Sequence, residues 1–73
     1  MDFADAAARI VGQIEQAGFA VSVYHMRQYV ELYAVHLSGD HISHVARCEG
    51  GGEAETYQAA MLLSQMVGIA IKE

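Results

Sequence analysis

The sequence predicts an α+β domain of order αβββα, a three-stranded antiparallel sheet with both helices packed on one face. Three observations predict it. Apolar residues recur at helical spacing near both ends of the chain, the period switches to two between Phe19 and Cys48, and Gly18 and Gly50-Gly51-Gly52 stand where the period changes. At 73 residues the chain is about half of a typical domain of ~100–150 residues, which leaves room for a single domain over 1–73 and one small core. A composition of 53% hydrophobic and 18% charged residues is too apolar for disorder, and no apolar run approaches the ~18 residues that span a bilayer.

The first helix is expected over 2–17. Phe3, Ala7, Ile10, Val11, Ile14 and Ala17 fall on one side, with Asp5, Arg9, Gln13, Glu15 and Gln16 on the other. Asp2 can cap the free N–H groups of the first turn, Asp5 complements the positive end of the dipole, and Gly18-Phe19 suits a left-handed C-terminal cap. Strands are expected over 19–26, 29–37 and 41–48, joined by Arg27-Gln28 and by the clearer turn Ser38-Gly39-Asp40. The glycine run then breaks the sheet as a flexible connector. The residues from Glu53 to Val67, rich in Ala, Leu, Met, Glu and Gln, form the second helix over 53–67, with Ala59, Leu62, Leu63, Met66 and Val67 as its inner stripe.

A two-residue first loop sets His25, Val23, Val21 and Phe19 opposite Val30, Leu32, Ala34 and His36. A three-residue second loop sets Leu32 opposite Ala46 and Glu31 opposite Arg47, a favourable cross-strand ion pair. These registers place Phe19, Val21, Val23, Val30, Leu32, Ala34, Ile42, Ala46 and Cys48 on the face that the helices cover. A four-residue second loop would slip this by one and set Glu31 opposite Cys48. The other face carries the candidate interface Tyr24, Met26, Tyr29, Tyr33, Val35, Leu37 and Val45, beside Ser22, Glu31, His41, Ser43 and Arg47. That is more apolar area than a solvated sheet face in a monomer usually shows, and Tyr and Met are enriched at interfaces, so a symmetric homodimer is the expected cover. The alternative is that tyrosines and valines favour strands and stay half exposed.

The chemical constellations are weak. His41-x-x-His44 with Cys48 suggests a metal site, but alternation points the two histidines to opposite faces, and His44 and Cys48 stand ~13 Å apart at ~3.3 Å per residue. His36 and His44 are expected at the sheet margin with one ring nitrogen hydrogen-bonded, and His25 and His41 beside turns. Cys48 has no base at hand, and Glu49 is expected to raise its pKa. Gly50-Gly51-Gly52 stands where phosphate loops stand, yet Glu49, Glu53 and Glu55 flank it without a Lys or Arg. Tyr57 and Met61 lie one turn apart, on the far side of the second helix. No catalytic residue, cofactor or metal is expected.

The αβββα order and the closing helix with Ala59-Ala60 and Leu63 resemble the double-stranded RNA-binding domain over nearly the whole chain. The resemblance implies that fold, and its lysine-rich motif would fall on Gly52, Glu53 and Thr56, none of which is basic; the likeness to its Gly-Pro-x-His turn, Gly39-Asp40-His41, stands in the second hairpin instead of the first. The segments VSVYHM, YVELYAVHL and HVARCEGGGEAETYQAAMLLSQMVGI also look like small uncharacterised proteins encoded by phages and prophages. Four Lys+Arg against nine Asp+Glu give a net charge of -5, which argues against a phosphate-backbone binder. The N-terminus has no basic n-region followed by an apolar h-region, so a cytoplasmic location is expected. A core this small, with one cysteine and hence no internal disulfide, supplies only ~3–5 kcal/mol, which makes self-association an early question. The expected function is therefore a non-enzymatic protein-interaction domain whose partner is itself or another protein. The alternatives are a nucleic-acid module of double-stranded RNA-binding shape and an acidic mimic of nucleic acid.

Overall fold

A computed structural model describes residues 2–39 and 42–72 and has the element order α1 (Phe3–Gln16), β1 (Phe19–His25), β2 (Tyr29–His36), β3 (Ser43–Glu49) and α2 (Glu53–Met66). The strands form one antiparallel sheet in the order β1-β2-β3, and α1 and α2 pack on the same face of it. The Cα extents of 32 × 25 × 14 Å are those of a two-layer slab.

The expected registers hold. Val23 stands opposite Leu32, and Leu32 in turn opposite Ala46, while Glu31 stands opposite Arg47. Alternation therefore turns Val30, Leu32, Ala34 and Ala46 toward the helices, where all four are fully buried with Ile14, Ala59, Ala60 and Leu63. Fully burying a side chain of the size of Leu32 or Leu63 contributes about 1.5–3 kcal/mol, so this handful of contacts supplies much of the folding drive in so short a chain. Coverage fades at the margins. Val23 stays 39% exposed and Ile42, before the start of β3, 58% exposed, so neither is the core residue that the sequence pattern implies.

Both ends of α1 follow from its sequence. Asp5 N–H donates to Asp2 Oδ1 at 3.2 Å, and Gly18, at φ 101°, takes the left-handed conformation and donates to the Glu15 carbonyl at 3.0 Å. Its buried stripe is Ala6, Ala7, Ile10 and Ile14, while Phe3 stays 37% exposed and meets the Tyr57 ring at 5.6 Å.

α2 corrects the sequence reading. It buries Thr56, Ala59, Ala60, Leu63 and Ser64, whereas Leu62 and Met66 face outward. Apolar and polar residues are mixed around the helix, so periodicity alone does not select a face. Packing selects the small residues, because α2 lies across β2 and β3 and against α1 at once. The hydroxyls this buries are satisfied within the helix, Thr56 Oγ1 donating to the Gly52 carbonyl and Ser64 Oγ to the Met61 carbonyl. Tyr57 and Met61 are likewise not on an outer surface. They face α1 and, with Ala6, Ile10 and Ile71, line a cavity of about 100 Å3.

α2 ends in a Schellman turn: Gly68 (φ 76°) donates to Gln65 at 3.2 Å and Ile69 to Ser64 at 2.9 Å. Residues 69–72 then return along α1. Ile69 and Ile71 pack against the core, and the Gln13 side chain brackets the Lys72 backbone, accepting from its N–H and donating to its carbonyl, each at 2.8 Å.

The glycine run is not a loose connector. Gly50 (φ 98°) donates to the Gln28 carbonyl at 2.8 Å, and a Cβ on Gly51 would lie 2.7 Å from the Met26 carbonyl oxygen and 2.8 Å from that of Arg27. The strand-to-helix turn thus packs backbone to backbone on the β1–β2 hairpin. Gly51→Ala is expected to destabilise by about 1–3 kcal/mol through that clash, whereas Gly12→Ala, in the interior of α1 with nothing within 4 Å of the new Cβ, gains up to about 1 kcal/mol. Urea denaturation of the two variants should move in opposite directions, and equal midpoints would show that the hairpin contact carries no weight.

Candidate interaction surface

The sheet registers assemble the open face in rows. Ala20, Val35 and Ser43 form one, Ser22, Tyr33 and Val45 the next, then Tyr24, Glu31 and Arg47. Met26, Tyr29 and Glu49 close the series at the hairpin, where Met26 N–H donates to the Tyr29 carbonyl at 2.9 Å. Alternation puts all of them on the side away from the helices. Among the described residues no element covers this side.

The sequence-derived interface residues are therefore brought together. Tyr24 and Tyr33 meet edge to face across β1 and β2, with centroids 5.4 Å apart and planes at 86°. Tyr24 and Met26 are exposed by nearly half, Val45 is exposed, and Tyr29, Tyr33 and Val35 are half-buried by their neighbours. Leu37 lies just past β2, 67% exposed, its N–H donating to the Gly18 carbonyl at 2.9 Å.

The polar groups on this face differ in one respect from the expected ion pair. Although Glu31 stands opposite Arg47, the guanidinium lies over the Tyr29 ring at 3.8 Å from its centroid and its Nε is 3.4 Å from Glu49 Oε1. The Tyr29 ring diagonally across the strands offers a cation–π contact, and Glu49, two residues on along β3, shares the face. Both charged side chains are well exposed, so their pairing contributes little. Glu31 instead accepts from the Tyr33 hydroxyl at 3.5 Å. The carboxylate beside it opposes formation of a phenolate, and Tyr33 has its pKa raised for that reason first.

Cys48 has its thiol pKa raised, by burial first and by the Glu55 carboxylate second, which corrects the expectation that Glu49 does this; Glu49 pairs with Arg47 instead. His25 lies two strands away, through Val30. Burial and the Glu55 carboxylate both disfavour the thiolate, the form in which a cysteine acts as a nucleophile. His36 sits at the sheet margin with Ser38 N–H donating to its Nδ1 at 3.3 Å, and the Phe19 ring meets both His36 and His44 edge to face, with centroids 5.0 and 6.3 Å away. His41 lies outside the described residues; among those described, no three His, Cys, Asp or Glu are grouped to hold a metal ion. At the glycine run, Gly52 N–H donates to Glu55 Oε1 at 2.9 Å, so the donor that a phosphate would use at this helix start is taken by the chain's own carboxylate. Thr56, where the RNA-binding motif would need a lysine, is buried.

Signals for the two features missed at the sequence level were present but indirect. The tail contact needed the Schellman glycine to be read together with Ile69 and Ile71 at spacing two, and the hairpin contact had only the glycine run itself. No family model, curated protein or solved structure matches the chain. Among the described residues no helix is long and apolar enough to cross a membrane.

Glu31→Gln should lower the Tyr33 ionisation midpoint, read at 295 nm in an alkaline titration. For the wild type the unfolded chain loses the Tyr33 and Cys48 protons first, because both pKa values are raised in the fold. Stability is therefore expected to fall as pH climbs past the ordinary thiol and phenol ranges of about 8.5 and 10. A stability that rose across that window would contradict both assignments.

Proposed function

We propose that this chain is a small, non-enzymatic protein-interaction domain that acts through its open sheet face, with a second copy of itself as the first partner. The observation that carries the reading is the uncovered surface of Tyr24, Met26, Tyr29, Tyr33, Val35 and Val45, continued past the end of β2 by Leu37, in a slab whose helices occupy the opposite side. Aromatic and Met side chains with a single arginine among them match the make-up of protein contact surfaces. Charge supports a protein over a nucleic acid, since Arg47 shares the face with Glu31 and Glu49 and the chain as a whole carries -5.

The size of the face sets the strength of the association. Three strands spaced ~4.8 Å and seven or eight residues long at ~3.3 Å each present roughly 350 Å2, so two faces together bury well under the ~1,200 Å2 at the lower end of stable complexes. Self-association is thus weak and transient, and the same face remains available to another protein. We take the protein as cytoplasmic, and the likeness of its strand segments to phage- and prophage-encoded chains makes a host or phage protein the class of that other partner.

Sedimentation velocity from tens of micromolar to millimolar should show a reversible monomer–dimer exchange. Tyr33→Asp, at the centre of the face, should weaken it at least about tenfold, or ~1.4 kcal/mol, with the helical circular dichroism unchanged. A wild type that stays monomeric throughout this range, or a variant that associates equally well, would remove the homodimer.

A further inference from the structure

The second unpartnered feature is the outer edge of β1. Its backbone polarity follows from the ladder. Met26 N–H donates to the Tyr29 carbonyl at one end and Leu37 N–H to the Gly18 carbonyl at the other. In an antiparallel pair this sets the even-numbered residues of β1 in the hydrogen-bonded positions, so Val21, Val23 and His25 turn their N–H and C=O groups away from β2. Among the described residues no strand pairs with them. Edge strands are usually blunted by charge, proline or a bulge. β1, FAVSVYH, has no proline and no Asp, Glu, Lys or Arg, whereas the other edge, β3, carries Arg47 and Glu49.

A groove of about 410 Å3 opens beside the end of this edge that holds Val23 and His25, where those two residues meet Ala4, Ala8 and Val11 of α1 and Glu53 and Thr56 of α2. Alanines on the helix leave room that larger side chains would fill, and Val23 is exposed because of it. Free backbone groups alongside an apolar groove under a helix are the two requirements for strand addition, in which main-chain bonds give affinity and alternate side chains fill the groove.

Geometry also narrows the occupant. α1 lies over β1. A second copy joining β1 to β1 would set two strands ~4.8 Å apart and bring their covering helices to about the same spacing, below the ~8 Å at which helices pack. The edge therefore accepts a strand that has no helix above it. An incoming strand antiparallel to β1 has its N-terminal end beside His25, where Glu53 lines the groove and favours a cation.

We infer that the groove between α1 and the β1 edge takes an extended peptide segment of another protein by antiparallel strand addition, with aliphatic side chains at alternate positions and a basic residue at its N-terminal end. This site is separate from the open face. The test uses a degenerate set of acetylated heptapeptides that begin with Lys and carry Val, Ile or Leu at every second position and Ser or Thr between them, titrated into the nitrogen-15-labelled full chain. Binding should shift and protect from exchange the amides of Val21, Val23 and His25. It should fall at least about tenfold with Ala8→Leu, which fills the groove, and with Val23→Pro, which removes one outward N–H while leaving the β1–β2 ladder its bonds. Replacing the leading Lys by Glu should weaken it further. Shifts confined to Tyr33 and Val45, undiminished binding to the Ala8→Leu chain, or no perturbation at millimolar peptide would each overturn the proposal. Neither variant alters the open face, so self-association of the wild-type kind in both keeps this test distinct from that of the dimer.

Discussion

Burial of one face of a three-stranded sheet beneath two helices is the constraint on which the rest of this molecule depends. Val30, Leu32, Ala34 and Ala46 are fully withdrawn from water against Ile14, Ala59, Ala60 and Leu63, and these contacts join all five elements except β1. Among the described residues no further element lies on the other side, so the strand residues that alternate away from the helices remain at the surface. The open face is thus a consequence of strand alternation and of both helices sharing one side of the sheet. β1 is held mainly through its ladder to β2 and a lighter contact with α1, which leaves both its outer edge and the groove above it accessible.

Backbone contacts, more than side chains, fix how the two halves of the chain meet. Gly51 lies against the Met26 and Arg27 carbonyls, Gly50 donates to Gln28, and Gln13 grips the Lys72 backbone from α1. The first two tie the start of α2 to the β1–β2 hairpin; the last closes the far end of the helix layer. In a core with so few large side chains such contacts supply specificity that hydrophobic burial alone does not, because they tolerate no added Cβ at Gly51 and no shift of register. Glu55 belongs to the same scheme: its carboxylate caps the Gly52 N–H and stands near enough to Cys48 to discourage a thiolate.

Much of this was legible in the sequence where two independent signals agreed. The order of elements followed from the change of period, and the β1–β2 register and the preferred β2–β3 register followed from loop length checked against the hydrophobic pattern, so that Val23, Leu32 and Ala46 align as expected. Of the candidate surface, Tyr24, Tyr29, Tyr33, Val35 and Val45 stand in the sheet on the side away from the helices, whereas Met26 and Leu37 lie just past the ends of β1 and β2. Where one signal stood alone it failed. Apolar spacing does not single out an inner face in α2, where apolar and polar residues are mixed around the helix, and packing draws Thr56, Ala60 and Ser64 inward while leaving Leu62 and Met66 outside. The partner of Arg47 was assigned from the position directly opposite, but the diagonal Tyr29 ring and the nearby Glu49 attract the guanidinium more.

By itself the sequence determined the kinds of element, their order and the β1–β2 register, and it narrowed the β2–β3 register to two choices, of which the structure takes the one with Glu31 opposite Arg47. Each of these rests on a local period or a short loop, and local rules act before the chain is compact. The tertiary structure alone decided which way α2 rolls, that the glycine turn docks on the hairpin, that residues 69–72 return along α1, and that a groove opens beside an unprotected β1 edge. These are contacts between segments far apart in sequence, and they depend on how closely two backbones can approach, a property of assembled shape that no single window of residues encodes.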